Sequence, residues 1–140
     1  MTTIVVGVSD TETAARAFDR AGELAHALGA TLYVVSAYDH DSVEVIGAGS
    51  DTFTVSTSRQ VESFVEATVA RARSRWDIEA TGRAVAGKPE QAILEVARDV
   101  DASVIVVGNV RMQGPGRVLG SVANHIAHHA PCDVYVVKTV

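Results

Sequence analysis

Residues 104–139 read VIVVGNVRMQGPGRVLGSVANHIAHHAPCDVYVVKT. One apolar run, Val104–Gly108, opens the stretch and another, Val134–Val137, closes it; between them a glycine-rich segment leads into a short helical pattern from Ser121 to His129. Strand, crossover helix, strand is the repeating unit of a parallel sheet, and such crossovers are right-handed. The same alternation extends back through the chain. Ile4–Val8, Thr31–Ala37 and Ile78–Val85 are further apolar runs. Three of the five runs are β-branched and nearly continuous, which is the pattern of strands covered on both faces.

Helical periodicity fills the gaps. From Thr11 to Leu28, residues Phe18, Ala21, Ala25 and Leu28 recur at three- and four-residue spacing, and Gly29 supplies a stop. Ser58 to Trp76 carries Val61, Phe64, Val65, Thr68, Val69 and Ala72 in the same way. Pro89 opens a third helix at its first turn, where the missing N–H costs nothing, and Ala92, Ile93, Val96 and Ala97 share one face of it. The expectation is an α/β fold with a mostly parallel sheet. Tyr38 to Thr57, with GAGSDT inside it, reads as a mobile polar loop, and Asn109 to Gly120 as a glycine-rich one.

Bulk properties narrow the class. The 140 residues suit one domain, and 47% hydrophobic content with one Trp, three Tyr and three Phe implies an aliphatic core. A net charge of -5 gives no basic footprint for nucleic acid and no attraction to an anionic membrane surface. MTTIVVGVSD lacks the basic start and the apolar length of a secretion signal, so a cytoplasmic location is expected. The single cysteine, Cys132, reads as a small buried side chain.

In an open α/β sheet, ligands sit outside the carboxyl ends of the strands. The glycine-rich segment leaves such an end. Its backbone N–H groups, followed by the start of a helix, could hold an anion, with Ser121 either capping that helix or donating to a phosphate oxygen. An ordinary loop with Ser121 as N-cap fits equally well. Named motifs do not fit. There is no G-x-x-x-x-G-K-[ST], and Gly114, Gly116 and Gly120 are spaced one residue too wide for the dinucleotide fingerprint and follow the wrong strand.

The stretch 104–139 does resemble the C-terminal signature of the universal stress protein family. TIVVGVSD resembles that family's opening, and GKPEQAILEVARDVDASVIVVG its middle. The resemblance implies a five-stranded parallel sheet in the order 3-2-1-4-5 with helices on both faces, an adenine nucleotide alpha-hydrolase-like, Rossmann-like fold, and commonly a homodimer. It also implies one of two groups, the first of which binds ATP through G-x-x-G, a spacer, and Gly-Ser/Thr. On this chain Gly108 takes the first glycine and Gly120 with Ser121 the closing pair, while Gly114 and Gly116 keep the intervening segment permissive. Arg111 stands at the second glycine, where it either crowds a phosphate or pairs with it. The family's acidic position after the first strand holds Ser9, with Asp10 one place later; one of the two would hold the ribose, and Asp10 alternatively caps the first helix. Ala37 falls where backbone groups would meet adenine.

The resulting expectation is a stress-response regulatory module that binds ATP or AMP, with any Mg²⁺ carried by the phosphates and hydrolysis at most slow and incidental. The alternative is a dimeric interaction protein in which Ser9 and Arg111 mark a lost site. Smaller signals point to structure. His125, His128 and His129 form a cationic helix end rather than a metal site, and Asp10 with Glu12 an acidic first turn rather than a catalytic pair. Lys88 is expected in solvent, and Glu62, Glu66, Arg71, Arg73 and Arg75 on a charged outer face beside a half-buried Trp76. The last strand, Val134 to Val140, would be a sheet edge able to pair across a dimer axis.

Overall fold

Residues 2–39, 58–109 and 119–138 are described by the structure, a computed structural model. Nine elements alternate along them: β1 (Thr3–Gly7), α1 (Glu12–Leu28), β2 (Thr31–Tyr38), α2 (Ser58–Trp76), β3 (Ala80–Ala86), α3 (Pro89–Asp99), β4 (Val104–Asn109), α4 (Ser121–His129) and β5 (Asp133–Lys138). All strand pairings are parallel and the order is β3-β2-β1-β4-β5. This is the order that the family resemblance implies. The GAGSDT connection and most of the glycine-rich segment, including Arg111, Gly114 and Gly116, lie outside the described residues.

Alternation of side chains on the central strand divides the core. Ile4 and Val6 belong to a cluster with Phe18, Ala21 and Ala25 of α1 and Val61, Val65 and Val69 of α2. Val5 belongs to the opposite cluster, with Ile93 and Val96 of α3 and Ile126 of α4. Each layer is largely aliphatic, as the composition implies. The described residues contain no helix long and apolar enough to cross a membrane.

Helix ends follow the local chemistry, with corrections. Thr11, not Asp10, caps α1: its hydroxyl accepts from the Ala14 N–H at 3.1 Å. Gly29 ends the helix in the left-handed region at φ 63°, and the next residue, Ala30, donates to the Ala25 carbonyl at 2.9 Å. β3 starts at Ala80 rather than Ile78, because the chain turns through a left-handed Asp77 (φ 52°) before the Glu79 carbonyl accepts from Leu32.

The α2 surface is less solvent-like than its charges suggest. Arg73 donates twice to the Ala80 carbonyl, at 3.1 and 2.7 Å. Arg71 lies over the Phe18 ring, and Arg75 both covers Trp76 and pairs with Asp19 at 2.8 Å. Trp76 is half-buried as expected and meets Phe18 edge-on with ring centroids 5.2 Å apart. Cys132 is half-buried too, not buried, because β5 lies at the sheet edge.

Candidate functional site

The order β3-β2-β1-β4-β5 places a reversal between β1 and its neighbours, and a cavity of ≈ 270 Å³ opens there at the carboxyl ends of the strands. Its floor comes from three strand ends: Gly7, Val8 and Ser9 after β1, Val35 to Ala37 of β2, and Val107 and Gly108 of β4. First-turn residues of three helices complete it, Thr13 and Ala14 of α1, Pro89 of α3 and Val122 of α4. Three helix N-termini therefore border one space, each with a partial positive charge, although Pro89 has no N–H and that of Ala14 is bonded to Thr11. Among the described residues, the lining side chains are apolar or hydroxyl-bearing and none is charged.

Close packing shapes this space. A Cβ on Gly7 would come within 2.5 Å of Ile93 Cδ1, so the absence of a side chain at Gly7 lets α3 lie against β1 with Ile93 in the cavity wall. At the opposite wall the Ser9 and Thr11 hydroxyls are 3.0 Å apart and Thr11 in turn accepts from α1. Ser9 is thus held by the helix cap at the edge of the cavity.

The expected site residues divide. Ser9, Ala37 and Gly108 line the cavity. Asp10 is exposed and borders an adjoining space of ≈ 190 Å³ on the α1–α2 side, with Phe18, Phe64 and Arg71, a space that Ser9 and Thr11 line as well. Gly120 is the N-cap of α4, so Ser121 occupies the first helical position, exposed, and does not cap the helix. Neither residue is in the cavity wall, although Val122 beside them is. Lys88 is exposed at the N-cap of α3.

Several contributors escaped the sequence reading. Thr13, Ser36, Ile93 and Val122 line the cavity without any motif to mark them. Asn109 is the most informative. It ends β4, is 3% exposed, and its Oδ1 accepts from the Gly120 N–H at 2.6 Å. A polar residue closing the apolar run VIVVG was the available signal.

Two other clusters carry less. The His125 and His129 rings stack with centroids 4.3 Å apart, and the described residues contain no group of three side chains suited to a metal. Burial pushes the Cys132 thiol up, helped by Asp133 and opposed by a hydrogen bond from the Ile105 backbone. That is the reverse of what a nucleophilic thiol needs.

A doubly wound parallel sheet with a helix-bordered cavity at its switch point places the chain among the α/β proteins whose ligand sites lie at the carboxyl ends of the strands. Comparison with known proteins narrows this. The model of the universal stress protein family matches residues 1–138, and the chain belongs to that family. A universal stress protein of Mycobacterium tuberculosis is 30% identical over 141 residues, covering 98% of this chain and 96% of the relative. A universal stress protein A homologue of Coxiella burnetii is 31% identical over 120 residues, with 85% and 83% covered. Among solved structures, a universal stress protein in complex with cAMP is 31% identical at a TM-score of 0.75, covering 99% of this chain and 98% of that one. One from Archaeoglobus fulgidus in complex with dAMP is 24% identical at a TM-score of 0.69, a likeness of fold.

Proposed function

We propose that this protein is a regulatory module that binds an adenine nucleotide in the cavity at the carboxyl ends of β1, β2 and β4. The observation that carries the reading is the cavity wall, where three helix N-termini meet glycine-bearing strand ends. A 31% identical relative with cAMP bound supports the choice of adenine nucleotide. In this reading the ribose lies by Ser9 rather than Asp10, since only Ser9 borders the cavity. The Ala37 backbone meets the base, and the phosphate lies toward Gly108 and the start of α4, with Gly120 and Ser121 at its rim. Arg111, Gly114 and Gly116 belong to the same segment.

Charge decides the preferred ligand. Helix N-termini supply roughly half a positive charge each, which suits one phosphate better than the chain of three in ATP. With no charged side chain among the described residues of the wall, AMP or a cyclic monophosphate is favoured over ATP. The described residues of the wall also include no carboxylate or imidazole to act as a general base, and the role proposed is binding rather than turnover. The edge position of β5, with Tyr135 39% exposed on it, favours pairing of this strand in a homodimer.

Calorimetric titration of the purified protein with AMP, cAMP, ATP and adenosine tests the reading. The expected result is saturable binding, with AMP or cAMP about tenfold tighter than ATP. No saturable binding of any of them at millimolar concentration would sink it. Arg111→Gly, titrated in parallel, reports whether that guanidinium assists the phosphate (weaker binding) or obstructs it (tighter binding).

A further inference from the structure

We infer that Asn109 is a positioning residue that fixes the phosphate end of the site by clasping the start of α4 to the end of β4. This rests on the nucleotide-binding reading above. Asn109 and Gly120 stand on either side of the glycine-rich segment, and one hydrogen bond joins them. At 2.6 Å it is short for an N–H···O contact, and its acceptor is buried. The backbone of Asn109 is fixed in turn, because it lies in the β4–β5 ladder opposite Lys138.

The two residues fit each other. A Cβ at Gly120 would approach Asn109 Oδ1 to 3.0 Å, so glycine at this position lets the carboxamide come in close. Gly120 therefore has a structural reason to be glycine that is separate from any contact with phosphate. The bond engages the N-cap N–H of α4, and the helix then begins normally, with Asn124 donating to the Gly120 carbonyl at 2.8 Å. The N–H groups of Ser121, Val122 and Ala123 are left as the helix's anion-facing donors. Gly108, which immediately precedes Asn109, and Val122, two residues after Gly120, both line the cavity. The clasp thus sets the spacing between two parts of one wall.

Asn109→Ala removes the acceptor, and Asn109→Asp keeps an oxygen in place while adding negative charge. The Ala variant is expected to bind AMP about tenfold more weakly and adenosine within about twofold of the parent, since only the phosphate end moves. The Gly120 amide should exchange with solvent at least tenfold faster in that variant. The Asp variant should keep the slow Gly120 exchange yet lose AMP affinity by repulsion, again sparing adenosine. Equal losses of AMP and adenosine affinity would mean a merely structural role and overturn the inference, as would unchanged AMP affinity in a variant whose Gly120 amide exchanges fast. If the Ala variant does not fold, the Asp variant alone decides: a parallel loss of both ligands overturns the inference. Failure of the parent protein to bind any nucleotide refutes the underlying reading instead, and the two failures are distinguishable.

Discussion

The two ends of the sheet are built differently. At the amino ends the connections are short and locked: residues 29–30 join α1 to β2, 77–79 join α2 to β3, and 130–132 join α4 to β5. Backbone bonds stitch neighbouring turns together there, Thr31 to the Thr2 carbonyl, Leu32 to that of Glu79 and Ser103 to that of Thr3. At the carboxyl ends, residues 8–11 and 87–88 make two short connections, residues 39–57 and 110–120 make two long ones, and the cavity opens among the ends of β1, β2 and β4. Short closure keeps the entropic cost of ordering low where nothing need bind. The closely bonded turns and the proposed ligand site thus lie at opposite ends of the same strands.

The comparison predicts opposite responses to substitution. Leu32, fully buried near the amino end of β2, is the severe case: Leu32→Ala should cost about 2–5 kcal/mol, read by denaturant unfolding, with nucleotide affinity unchanged. A folded Leu32→Ala protein with tenfold weaker AMP binding would break the separation of roles. Gly7→Ala at the carboxyl end is the converse. Its new Cβ meets Ile93 Cδ1, which must move, and the cavity lies on the other side of that side chain. Affinity for AMP should fall about tenfold, whereas stability falls by about 1–2 kcal/mol. Adding Ile93→Val, which deletes the obstructing atom, should restore most of the affinity, and the double-mutant cycle measures the coupling.

The same asymmetry explains what was legible in the sequence. The amino-end features announce themselves locally. Gly29 after a periodic helix is a stop wherever the helix packs, and the β-branched runs are buried strands in any parallel sheet. At the carboxyl ends, identity depends on what comes near in space. Ser9 and Asp10 are equivalent as neighbours in sequence, and only the path after β1 puts Ser9 at the border of both spaces and Asp10 on the α1–α2 side alone. Ser121 looked like a cap because Ser commonly is one. The cap is Gly120, tied instead by a side chain from the far end of the segment. Arg71, Arg73 and Arg75 are exposed, as a charged outer face requires, but Phe18, the Ala80 carbonyl and Asp19, which they meet, are distant along the chain or across a turn.

Gly29→Ala tests the closed end at smaller scale. Nothing lies within 4 Å of a Cβ built there, so the cost is the left-handed backbone alone, about 1 kcal/mol. A drop in melting temperature of about 4 °C with unchanged AMP affinity is expected, and no drop would mean that the turn relaxes to another conformation.

The smallest effect concerns Cys132, in the short turn between α4 and β5. Burial, then the negative charge of Asp133, holds its thiol above the ordinary range, so at a given pH less thiolate is present than in the unfolded chain. Reaction with a disulfide reagent near pH 8 should therefore be several-fold slower in the folded protein than in urea, beyond what half-burial imposes by shielding. The contrast should shrink as pH rises past the elevated value, because both states are then ionised. Asp133→Asn removes the repelling charge without opening the turn and should speed the folded-state reaction about twofold. A folded thiol that reacts as fast as the unfolded one would show that the turn opens on the timescale of the reaction, at an end of the sheet that its hydrogen bonds otherwise close.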